Sequence, residues 1–230
     1  MGLLFYLAII PSIWGAPALP AFSADILKKK LSLATGLAFA GFLDDSMGSK
    51  KQKGFKGHFK ELLHHGMLTT GVLKTFFIVF YVFTILALTE KNYFIIFVDT
   101  AIIAGTANFF NLLDLKPGRA WKMFFLIFFL ILFFSGSPDV VILFFPLLVV
   151  GLIYLPGELE QRFAMGDTGA NLLGGLSGFL LVATLNLSTK LFLLLFLLMI
   201  HLVCEKKSLS RIIETNPILN YLDVLGTKKN

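Results

Sequence analysis

A chain of 230 residues that is 57% hydrophobic and 15% charged, with mean hydropathy +0.83, is not a soluble globular domain, in which about 25% of residues are charged. Its net charge of +6 comes with no nucleic-acid-binding motif, so nucleic acid is excluded as a partner and the surplus of Lys and Arg reads as the topology signal of a membrane-embedded protein. The single Cys204 excludes an internal disulfide.

Apolar runs near 20 residues are candidate membrane helices. Eight follow one another, at roughly 2–22, 26–43, 67–88, 93–113, 121–135, 139–155, 170–187 and 189–204. The expected fold is all-α, a polytopic transmembrane helix bundle of about eight spans, with 1–204 as the membrane domain and 205–230 as an interfacial tail. The connections near 23–25, 89–92, 136–138 and 188 are tight, whereas 44–66, 114–120, 156–169 and 205–230 are long and polar, and the two kinds alternate. Fourteen Lys and Arg fall on the long-segment side and five on the other, which places the long segments in the cytoplasm. Lys28-Lys29-Lys30 lies on the minority side and argues the other way for the first two spans. The 26 Phe suit either a lipid-facing surface or a groove for an isoprenoid tail.

Acids are costly in a bilayer, so those at span ends are the candidates for chemistry. Asp44-Asp45 closes the second run; neighbouring helical residues point about 100° apart, so one can face a metal while the other faces a lysine or a backbone donor. Lys50, Lys51, Lys53, Lys56 and Lys60 follow, interleaved with glycines. Such a loop can hold phosphate beside acids that hold Mg²⁺, an ion satisfied by one or two carboxylates plus phosphate oxygens and water. The same lysines serve equally as topology-setting charge. Asn108, Asn111 and Asp114, three apart, share one face at the end of the fourth run. Gly166-Asp167-Thr168-Gly169 reads as a sharp turn before the seventh run, with Asp167 as either a functional acid or an N-cap. Asp99 and Lys74 lie inside runs; either the two pair with each other or Asp99 faces a small polar cavity. His58, His64, His65 and His201 have no metal-ligand spacing. In the tail, Asn216 reads as an N-cap, Pro217 as the first helical residue and Gly226 as the stop. The helix between them has an apolar face of Ile218, Leu222 and Leu225, with Asn220 and Asp223 facing away.

Three of these segments, Asp44-Asp45, Asn108 through Asp114, and Met165 through Gly169, resemble in order the motifs of the polyprenyl-phosphate N-acetylhexosamine-1-phosphate transferases, a family that includes the phospho-N-acetylmuramoyl-pentapeptide transferase of cell-wall synthesis. Lys56-Gly57 is similar to the Lys-Gly that follows the acid pair there. The resemblance implies a phospho-sugar transferase of the bacterial cytoplasmic membrane. It would move a sugar 1-phosphate from a UDP-N-acetylhexosamine-type nucleotide sugar to polyprenyl phosphate, with Mg²⁺, for cell-wall or surface-glycan lipid intermediates. It implies Asp44, Asp45 and Asp167 as catalytic and metal-holding residues. Lys56, Asn108, Asn111, Asp114, Gly118 and Gly166 would line the substrate site, and a homodimer is an allowed assembly. The chain departs from the family pattern at Leu115 (Gly in the family), at Pro117 (Asp), at Ala164 (an aromatic), and at Pro217-Ile218-Leu219-Asn220-Tyr221, where the family has a His-rich motif. These departures fall on groups expected to face the nucleotide. They imply weak or altered nucleotide-sugar binding, with a catalytically degenerate homologue that binds polyprenyl phosphate or a partner protein as the alternative.

Overall fold

The computed structural model describes residues 24–47, 70–134 and 138–227, and among them every regular element is a helix. In chain order these are α1 (Ala24–Met47), α2 (Thr70–Ala87), α3 (Tyr93–Leu113), α4 (Arg119–Phe134), α5 (Pro138–Leu159), α6 (Gly166–Thr184), α7 (Leu187–Cys204), α8 (Leu209–Thr215) and α9 (Pro217–Val224). A helix occupies each expected run from the second to the eighth. The run at 2–22 and the basic loop carrying Lys56 lie outside the described residues.

Local chemistry explains most boundaries. Asn92 starts α3 by accepting from the Phe94 and Ile95 amides, and Asn186 starts α7 by accepting from Thr189. Two boundaries differ from expectation. α5 continues through Pro156 to Leu159, because an internal proline removes one hydrogen bond without ending the helix when packing holds the next turn. α6 begins at Gly166 rather than 170: the glycine-flanked segment read as a turn is the first turn of the helix, entered through Gly166 at φ +74°.

α6 is the centre of the bundle. It packs against α1, α3, α4 and α5, and Thr168 through Leu180 is buried without a break. Its glycines permit this closeness. A Cβ at Gly174 would lie 2.6 Å from Phe110 Cβ and 2.8 Å from the Thr106 carbonyl oxygen, so α3 could not approach so far. Around this core, large apolar side chains point outward on α2, α4 and α7, among them Phe76, Phe80, Phe133, Phe134, Phe192 and Phe196. Two helices among the described residues, Tyr93–Leu113 and Leu187–Cys204, are long and apolar enough to cross a membrane, fewer than the eight spans expected. The apolar stretches Gly71–Ala87 and Phe144–Leu159 fall short of that length.

Candidate functional site

The C-terminal ends of α1 and α3 and the N-terminal ends of α2, α4 and α6 meet at one end of the bundle, and this brings the motifs together. The first turn of any helix leaves backbone N–H groups without intrahelical partners. At α6 no side chain of its own N-cap, Met165, fills that role. Carboxylates from other elements do. The Met165 amide faces Glu158 and the Gly166 amide faces Asp114. Asp45 accepts from the Asp167 amide at 3.0 Å, the Thr168 amide at 2.9 Å and the Thr168 hydroxyl at 2.5 Å. Asp45 of α1 thus caps the Asp167 and Thr168 amides, with Glu158 and Asp114 against the two amides before them, and Asp167 is not the cap.

This leaves Asp44 and Asp167. Both reach the ammonium of Lys74, at 2.8 Å and 3.1 Å, and the lysine side chain is 11% exposed. The α-helical rotation between Asp44 and Asp45 therefore separates them as the sequence suggested, one onto a lysine and one onto backbone donors. Asp99 is paired instead with Lys190 of α7, at 2.8 Å. The expected Lys74–Asp99 pair is absent because α2 and α3 are consecutive helices joined at 88–92. Lys74 lies sixteen residues before the middle of that turn and Asp99 nine after it, an axial mismatch of roughly 10 Å at 1.5 Å per residue.

Asn108 and Asn111 do share a face. With Lys74, Thr75, Ile78, Ala104 and Asn171 they border a small cavity of about 20 Å³ with a mixed polar and apolar lining. Asn111 Nδ2 donates to Asn171 Oδ1 at 2.8 Å, and Asn171 Nδ2 donates to the Asp167 carbonyl at 2.7 Å. Fully buried Asn171 so ties the second motif to the third. On the other side of Lys74 an apolar groove of about 360 Å³ runs between α1 and α2, bordered by Ala40, Leu43, Phe76, Phe77 and Phe80, with Asp44 and Lys74 at its mouth.

The electrostatics follow from the crowding of acids. Burial, and then the charge of Glu158, pushes Asp114 up to about 8. Burial pushes Glu158 up to about 7, opposed by its two amide donors. Asp167 is raised above the ordinary carboxylate range by burial and by contact with Asp44, with Lys74 opposing. The amide of Gly118, at φ +78°, faces Glu158, which lies between the turn after Asp114 and the loop before Asp167. Beyond this, Arg119 makes a two-pronged bond to Asp223 at 2.6 and 2.7 Å and a third bond to Ser210, and Lys122 donates to the Leu222 and Asp223 carbonyls. The tail is therefore clamped beside the second motif, with Ile218, Leu222 and Leu225 outward and Asp223 inward. Asn216 caps α9 through the Ile218 and Leu219 amides.

Of the expected residues, the structure gathers Asp44, Asp45, Asn108, Asn111, Asp114, Gly118, Gly166 and Asp167. Three participants were not read as site residues. Lys74 looked like an intramembrane charge. Asn171 sits one turn after Asp167 in a glycine-rich apolar run, and that spacing was its only signal. Glu158 lies in a polar segment with no motif around it. Among the described residues, no three His, Cys, Asp or Glu side chains converge as a ready metal cage. Asp44 and Asp167 nevertheless fit a cation, because both already close on one, the Lys74 ammonium. Comparison with protein-family models, curated proteins and solved structures finds no match to this chain.

Proposed function

We propose that this is a multi-pass protein of a bacterial cytoplasmic membrane that transfers a sugar 1-phosphate from a nucleotide sugar of the UDP-N-acetylhexosamine class to polyprenyl phosphate, with Mg²⁺. The observation that carries the reading is the convergence of Asp44 and Asp167 on a single cation position at the mouth of an apolar groove. A membrane setting is supported by the two long apolar helices and by outward Phe and Leu on several helices, an apolar surface larger than soluble monomers tolerate.

In this reading Asp44 and Asp167 hold the metal, which when bound offsets charge on the two phosphate groups during in-line displacement. Asp45 supports them by fixing the Asp167 backbone. Asn171 holds the same peptide from its carbonyl side, so the Asp167 carboxylate is set from both ends. The groove takes the part of the prenyl chain next to its phosphate, and the remaining chain lies in lipid. Asn108 and Asn111 face substrate oxygens from the polar side of Lys74. Purified protein given Mg²⁺, undecaprenyl phosphate and a panel of millimolar UDP-sugars is expected to release UMP, and Asp167→Asn to abolish the release. A folded preparation that releases no UMP with any of the donors refutes the assignment.

A second reading, a homologue that binds polyprenyl phosphate without turnover, is favoured by one feature. Two of the α6 amides, a natural phosphate cradle, are already held by Asp45, and Glu158 and Asp114 lie against the two before them. It predicts saturable lipid-phosphate binding with no UMP release.

A further inference from the structure

We propose that Lys74 is the group that binds the lipid phosphate, and that it exchanges places with a divalent cation: the metal takes Asp44 and Asp167, and the released lysine takes the anionic headgroup at the mouth of the α1–α2 groove. This rests on the assignment of Asp44 and Asp167 as the metal carboxylates.

The first argument is occupancy. The Lys74 ammonium lies 2.8 Å from Asp44 and 3.1 Å from Asp167, which is where a divalent ion shared by those carboxylates would sit. Two cations cannot share that point, so metal entry requires the ammonium to leave. A four-carbon stem with freely rotating bonds lets a lysine do so without moving its helix.

The second argument is where the ammonium can go. Lys74 borders both the apolar groove of Phe76, Phe77 and Phe80 and the small cavity that carries the amides of Asn108, Asn111 and Asn171. A cation at that boundary suits an amphiphile with an anionic head and an apolar chain. The helix N-terminus next to it is not open to phosphate, because Asp45 already holds the amides of Asp167 and Thr168.

The third argument is charge. Asp44, Asp167 and Lys74 together sum to −1, which repels a phosphate. Adding one divalent ion makes the sum +1, which attracts it. Metal and lipid phosphate therefore bind cooperatively, each tightening the other by the same factor.

The test uses Mn²⁺ and farnesyl phosphate, and no nucleotide sugar. Calorimetry on the purified full-length protein in neutral detergent gives Mn²⁺ affinity with and without farnesyl phosphate, with farnesol as the uncharged control. In the wild type, Mn²⁺ is expected to bind about tenfold tighter with farnesyl phosphate present and unchanged with farnesol, a tenfold change being the scale of one charge-assisted hydrogen bond. In Lys74→Gln the two affinities move in opposite directions: Mn²⁺ alone binds about tenfold tighter, since no ammonium is displaced, and farnesyl phosphate binds about tenfold more weakly. Equal or weaker Mn²⁺ binding by a folded Lys74→Gln, or unchanged farnesyl phosphate binding, overturns the exchange. The wild-type linkage needs no variant, and its absence overturns the exchange as well. Asp167→Asn separates the two claims: if it binds Mn²⁺ as the wild type does, the metal assignment itself is wrong.

Discussion

Glu158→Gln tests the electrostatics of the α6 cap. Glu158 is 2% exposed, faces the Gly118 and Met165 amides, and its Oε2 has no hydrogen-bond partner. Burial raises its pKa from 4.5 to about 7. A carboxyl whose folded pKa is raised favours the fold fully below its unfolded pKa, and that contribution is lost as pH climbs to the folded value. At about 1.4 kcal/mol per pKa unit, Glu158 costs the fold at most ~3.5 kcal/mol between pH 4.5 and 7. Glutamine keeps an acceptor for the two amides and cannot ionise. Its NH₂ falls where Oε2 lacks a partner, an expense of about 1–3 kcal/mol at every pH. Relative to wild type, the variant is therefore destabilised near pH 5 and regains ~2–3 kcal/mol by pH 8. Asp114 should also titrate lower, having lost a charged neighbour. The assay is reversible unfolding of metal-free protein in mixed micelles at both pH values. A stability difference between variant and wild type that is the same at pH 5 and pH 8 refutes the placement of this carboxyl.

Asp45→Ala removes an acceptor of three hydrogen bonds and should lower stability by about 1–2 kcal/mol in the same assay, the scale of a lost N-cap, with Asp45→Asn costing less. Arg119→Gln strands the buried Asp223 carboxylate and should cost about 3–5 kcal/mol or release the tail, seen as faster hydrogen exchange across 209–224; adding Asp223→Asn should recover part of the loss. Gly174→Ala pushes a methyl group against the α3 backbone and should destabilise by about 1–3 kcal/mol, with no effect if α3 and α6 do not pack there.

Helix positions were legible because long apolar runs with Asn caps and polar breaks leave little choice of element. Which acids meet which partners was less so. The sequence shows that Asp44 and Asp45 must diverge, but not that Asp45 caps a helix 122 residues away, since that depends on how α1 packs on α6. Lys74 and Asp99 could be matched only by assuming a register between helices, and counting from the shared turn would have shown them about seven residues apart. Glu158 carries no motif, and only the fold brings the loops holding Gly118 and Met165 up against it.

The central claim is phosphoryl transfer to a lipid at Asp44 and Asp167, and it is tested most directly by following the phosphorus. Protein incubated with Mg²⁺, undecaprenyl phosphate and UDP-N-acetylglucosamine labelled at the phosphate next to the sugar should move label into the organic phase as a lipid-linked sugar pyrophosphate. The transfer should stop when Mg²⁺ is chelated and in Asp167→Asn. Label that stays in the aqueous phase with every UDP-N-acetylhexosamine offered, while the protein remains folded, would contradict it.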